Sequence, residues 1–172
     1  MSKVPQLRPE DLFVALELAV ADPGISGRKL AIALEMPSSS VGLSLRRLRA
    51  NRLVEQANGA APRVRRLALR ECLQNAVRWI APAHVGGIVL GLPTAHASPA
   101  LAERFRGDHD PFVIPLEEGP ARGRSVSPLH PKAPVAASRD PKLHALLGVV
   151  DALRVGSARE REIASAELSE LL

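Results

Sequence analysis

Between Ser38 and Arg70 the chain sets eight arginines against a single acid. Arg46, Arg47, Arg49, Arg52, Arg63, Arg65, Arg66 and Arg70 oppose only Glu55, a net charge of +7 over 33 residues. Charge at that density is either held apart by solvent or matched by a polyanion. Val41, Leu45 and Leu48 recur at i, i+4 and i+7, the spacing of a helix with one buried stripe. The opposite face then collects Ser40, Gly42, Leu43, Ser44, Arg46 and Arg47. The segment is thus expected to fold as a helix packed by its aliphatic side, with its arginines outward.

The flanking residues predict more helices. Arg8-Pro9-Glu10-Asp11 opens the first, with proline at a first-turn position and two acids at the positive end of the helix dipole. Leu12, Leu16 and Ala19 line its inner face, widened by Phe13 and Val20, and Asp22-Pro23-Gly24 stops it. Ser26 is a cap for a second helix reaching about Met36, and Pro37 ends it. Ser38 is the expected cap of the third. Residues 53–56 read as a short strand, Asn58-Gly59 as a turn, and Arg63-Val64-Arg65 as the return strand, continuing through 66–69. A fourth helix is expected over about 71–80.

The composition then shifts. Residues 81–141 hold ten of the 15 prolines, a density that breaks helices and central strands. Val85, Ile88, Val89, Leu90, Leu92, Phe105, Phe112, Val113 and Ile114 are too apolar for a linker. The segment is therefore expected to be compact and loop-rich, with one short helix near 99–106. Asp140-Pro141 begins a helix carrying Leu143, Leu146, Leu147, Val150 and Leu153 inward, Gly156 ends it, and Ser157 with Glu160 forms a capping box for a last helix. The expected class is α+β, mostly α: a winged helix-turn-helix over 1–80, then a proline-rich region and a C-terminal helical hairpin over 81–172. Net charge divides the same way, +6 in residues 1–80 and −1 in residues 81–172.

Helix, helix, turn, helix, hairpin is the order of a winged helix-turn-helix, and it puts the arginines where DNA would lie. A helix entering the major groove needs small residues near its N-terminal end and basic ones further along. Ser39, Ser40, Gly42 and Ser44 are small and Arg46 and Arg47 follow, with Leu43 on the same face and counted with them among the expected DNA-binding residues. Arg28 and Lys29 start the second helix, which crosses the phosphate backbone in such modules. Arg63, Arg65 and Arg66 on the wing are candidates for backbone or minor-groove contacts. The run from Val41 to Val54 resembles the recognition helix and strand entry of MarR-type winged-helix regulators. That resemblance covers roughly residues 9–70 and implies a DNA-binding dimer. These modules carry glycine where Arg52 stands, so Asn51 is expected to take the left-handed conformation instead. The second half resembles the tail of uncharacterised bacterial helix-turn-helix proteins, through Gly91-Leu92-Pro93-Thr94-Ala95-His96-Ala97 and the run from Asp151 to Glu162.

The remaining chemistry is sparse. His84, His96, His109, His130 and His144, with Asp108, Asp110 and Glu117, lack close ligand spacing, so no metal or other cofactor is expected. Cys72 reads as a small packed hydrophobe. Gly86-Gly87 and Gly91 lack phosphate-loop spacing and are expected to let backbone pass close. No enzyme motif is present, and no apolar run reaches membrane-spanning length. With one cysteine and no signal-like start, a cytoplasmic bacterial protein is the expectation. Double-stranded DNA is the expected partner, with a homodimer. The alternative is an antitoxin-like or other interaction module whose C-terminal region binds a partner protein such as a cognate toxin.

Overall fold

Helix α1 (Pro9–Val20) is buried on every side, from Asp11 through Ala19. Most of the chain is arranged around it in this computed structural model, which describes residues 4–105 and 110–172. On one side pack α2 (Gly27–Ala33), α3 (Ser38–Ala50) and a two-stranded antiparallel ribbon, β1 (Val54–Glu55) with β2 (Arg63–Val64). On the other lie α4 (Arg66–Ile80) and α6 (Pro141–Val155). The class is α+β and mostly helical, with seven α-helices among the described residues.

Three local features differ from the sequence expectation. Residues 66–69 do not prolong the return strand; they are the first turn of α4. The second helix ends at Ala33, because Glu35 takes a positive φ of 50°. Ser38 is the first residue of α3 rather than its cap: Pro37 holds the cap position, and no side chain caps the helix. Ser26 does cap α2, accepting from the Lys29 amide.

The proline-rich stretch is more regular than its composition suggests. It contains β3 (Val85–Thr94), β4 (Phe112–Pro115), β5 (Ala121–Val126) and α5 (Ala133–Arg139), with 3-10 turns at Ala95–Ala97 and Ala102–Arg104. The second of these turns lies within the 99–106 segment expected to be helical; Arg106, with Asp108 and His109, falls outside the described residues. The long strand β3 pairs antiparallel with β5 through its first part and with β4 through its last, while β4 and β5 run parallel, closing a three-stranded barrel. Proline survives because its missing donor is rarely needed. Pro93 lies past the last β3–β5 pair, Gly91 with Ala121. Pro115 ends β4, while Pro134 and Pro141 occupy the first turns of α5 and α6. Closing so small a barrel brings backbones together. A Cβ at Gly91 would overlap the Ile114 carbonyl, one at Gly119 the Gly91 backbone, and one at Gly123 the Pro111 carbonyl. Gly86-Gly87 lies at an irregularity in the β3–β5 register instead.

The hairpin of α6 and α7 (Ala158–Leu171) is capped as its residues predict. Asp140 accepts from the amides of Lys142 and Leu143, and Ser157 and Glu160 form a reciprocal capping box. Residues Leu146 through Arg154 of α6 are all buried. The apolar core is continuous from Leu12 to Leu168, so the two segments share it.

Candidate nucleic-acid interface

Helix α3 presents a stripe of Ser39, Leu43, Arg46 and Ala50 to solvent, spaced at i, i+4, i+7 and i+11. Gly42 and Arg49 flank it and are also exposed, and Ser40 is half-buried. The opposite stripe of Val41, Ser44, Leu45 and Leu48 is buried. Two residues expected on the outer face do not belong there. Ser44 is fully buried. It lies three residues after Val41 and four before Leu48, inside the apolar stripe, and small size rather than polarity suits it to that position.

Arg47 is the larger correction. Its guanidinium turns toward the start of α1, where Nε bonds both carboxylate oxygens of Asp11 (3.0 and 2.8 Å). Nη2 bonds Asp11 Oδ1 (2.7 Å) and Glu10 Oε1 (2.8 Å). The Asp11 side chain is wholly buried, and that of Arg47 is 13% exposed. The hydrogen bonds to Asp11, helped by both acids' charge, hold the Arg47 pKa above the ordinary arginine range despite partial burial. Arg47 therefore fastens α3 to α1 and is not available to a base. An acid in the first helical turn could be read from sequence as a dipole partner; that Asp11 meets an arginine 36 residues later could not.

Exposed cations surround the stripe on the adjoining elements. Arg28 and Lys29 are exposed on the first turn of α2. Arg49 Nη1 donates to Gln56 Oε1 (3.1 Å) just beyond β1, and Arg65 Nη1 to the Arg52 carbonyl (3.4 Å). These bonds gather Arg49, Arg52 and Arg65 at the base of the ribbon, with Arg63 exposed on β2. Arg66 belongs instead to α4, and its Nη2 bonds the Ala19 carbonyl at the C-terminal end of α1 (2.7 Å). Its part is to satisfy a helix end.

The turn after α3 also departs from expectation. Arg52, not Asn51, takes the left-handed conformation, with φ of 60°. Asn51 stays at φ −92° and is otherwise engaged: its Nδ2 bonds the Arg47 carbonyl (2.9 Å) and the Pro5 carbonyl (2.8 Å). That second bond lays the N-terminal segment beside α3. Pro5, Arg8, Leu43, Arg46 and Arg47 then line a groove of about 420 Å³.

The two sequence strings in the second half meet each other. The Thr94 hydroxyl donates to Asp151 Oδ2 (2.6 Å), and His96 Nδ1 lies 3.3 Å from Glu160 Oε1. Arg154 donates to Asp151 Oδ1 (2.6 Å) and to the carbonyls of Ala81 (2.8 Å) and Ser127 (3.0 Å). This buried junction ties the exit from α4 and the end of β5 to α6. Further contacts join the halves: Phe13 of α1 stacks on His130 (5.6 Å), and Glu35, in the α2–α3 turn, pairs with Arg139 and with Lys132 (3.3 Å). His84 is exposed and His144 donates to the Pro93 carbonyl (2.7 Å). Among the described residues no three His, Cys, Asp or Glu side chains gather as a metal site. Cys72 is half-buried on α4, and burial pushes its thiol pKa up, favouring the unreactive neutral form. No described helix is long and apolar enough to cross a membrane.

Compared with known proteins, the chain matched no family model, no curated protein and no solved structure.

Proposed function

We propose that this protein is a sequence-specific, double-stranded DNA-binding transcription regulator, with α2 and α3 as a helix-turn-helix and the β1–β2 ribbon as its wing. One observation carries the reading. The outward side of α3 and the ribbon beside it expose Arg46, Arg49, Arg52, Arg63 and Arg65, and the side chains nearest the N-terminal end of that face are small. A helix trimmed at one end and cationic at the other suits a major groove about 12 Å wide, with flanking arginines on phosphates. Arg46 is then the candidate guanine reader, while Arg28 and Lys29 meet the backbone at the start of α2. As a homodimer the protein would read two half-sites about 34–36 Å apart.

Selection from a random duplex pool, followed by titration of the enriched site at two salt concentrations, tests the reading. Enrichment is expected, with log affinity falling by about 0.9 per tenfold rise in salt for each phosphate neutralised. No enrichment and no retention of duplex at low salt would reject it.

A second reading has its own observation. Ile88 and Leu90 are exposed on β3, directly across from Arg124 and Arg122 on β5. Such a ribbon suits a partner protein covering the C-terminal region, as in an antitoxin. Coexpression with the product of an adjacent gene, and recovery of a stoichiometric complex lost in an Ile88→Asp, Leu90→Asp double variant, would support that reading.

A further inference from the structure

Leu43 is 43% exposed at the middle of the outward stripe of α3, with Ser39 four residues before it and Arg46 three after. An isolated surface leucine needs no explanation, but this one lines a groove. Its other lining residues are Pro5 on the N-terminal segment, held beside α3 by Asn51, and three arginines. Arg47 is committed to Asp11. Arg46 is exposed, and the Arg8 side chain is 63% exposed, 3.7 Å from Glu10. Beside Leu43 the helix is shaved to Gly42, where a Cβ would meet nothing within 4 Å. The groove thus offers an apolar surface between cations, on a helix face open to close approach.

The major-groove edges of the four bases offer only one apolar group, the 5-methyl of thymine; the rest are hydrogen-bond donors and acceptors. We infer that Leu43 reads a thymine methyl in this groove, while Arg46 bonds a guanine nearby and Arg8 meets the adjoining phosphate. The inference rests on the DNA-binding reading above. Three residues along a helix advance about 4.5 Å, so the thymine and the guanine fall within one or two base steps of each other. RNA is excluded twice, by its unmethylated uracil and by a major groove too narrow for the helix.

The test uses the full chain and the duplex enriched from the random pool, with each thymine replaced in turn by deoxyuridine. In the wild-type protein one thymine per half-site, within two steps of a guanine, should weaken binding roughly fourfold when demethylated, the worth of one buried carbon. Leu43→Ala should bind the methylated and demethylated duplexes alike, Leu43→Met should restore the difference, and all three proteins should melt at the same temperature because the side chain is exposed. Wild-type indifference to deoxyuridine at every position would overturn the inference while leaving DNA binding standing. A penalty that persists in Leu43→Ala would assign the methyl contact to another residue and overturn it as well. Failure to enrich or bind any duplex would remove the DNA-binding reading itself, a different result from either.

Discussion

Replacing Asp11 with alanine strands the Arg47 guanidinium in a site where 13% of its side chain meets solvent. Removing one member of a buried ion pair costs about 3–5 kcal/mol, because the other charge is left without a partner. Here Glu10 remains bonded to Nη2 and is itself partly exposed, which offsets part of that loss. Asp11 also accepts from the Arg8 amide at the start of α1 (2.9 Å), and losing such a cap costs about 1 kcal/mol. The expected total for Asp11→Ala is about 3 kcal/mol, or a melting point lower by about 6–12 °C for a chain of this size. Arg47→Ala should cost about 3–5 kcal/mol, because the carboxylate it strands is wholly buried. The double variant should lose about 1–3 kcal/mol less than the sum of the two. Urea melts of the four proteins close this cycle. Arg47→Met, which keeps the stem and removes the charge, should lose stability yet bind DNA normally under conditions where it remains folded. A coupling below about 0.5 kcal/mol would refute the stabilising role of the pair, and an Arg47→Met protein of full stability that no longer recognises its site would show that the arginine leaves Asp11 to contact DNA.

Arg46→Ala should leave the melting point unchanged and weaken specific binding by about 1–3 kcal/mol, measured by anisotropy against the enriched site. Arg63→Ala should weaken binding to all duplexes alike and reduce the slope of log affinity against log salt by about 1. Arg52→Gly should raise stability by about 0.5–1 kcal/mol in urea melts, since glycine takes a φ of 60° without the Cβ clash. Gly123→Ala should cost at least about 2 kcal/mol by driving a methyl into the Pro111 carbonyl, readable as a lower urea midpoint. Burial, and secondarily the charge of Asp140, raise the Glu17 pKa in the folded protein. The stability tied to its protonation is therefore complete below the unfolded carboxyl pKa of about 4.3 and is lost as pH rises through the higher folded value. Glu17→Gln should accordingly melt higher than wild type at pH 7, with the difference shrinking as pH falls toward 4; an unchanged difference across that range would contradict the linkage.

Local order was legible wherever a helix carries its own start signal and stripe. Pro9 with Glu10 and Asp11, Ser26, Asp140-Pro141 and the Ser157–Glu160 capping box each mark a helix boundary by chemistry within four residues, and the structure begins helices there. The outward positions of Ser39, Leu43 and Arg46 also follow from the helical period alone. The barrel was not legible, because proline density speaks only of missing donors. Whether a donor is missed depends on which edge of which strand pairs, and β3 changes partners at Gly91.

The amino-acid sequence by itself set where the chain turns and which side of each helix is greasy, since these depend on neighbours a few residues apart. The partners of its charges were decided only by packing. Arg46 and Arg47 are adjacent and chemically identical, yet about 100° of helix rotation gives one to solvent and the other to Asp11, 36 residues away. Desolvated charge must be neutralised by whatever the fold brings within reach, and only the tertiary structure specifies what that is.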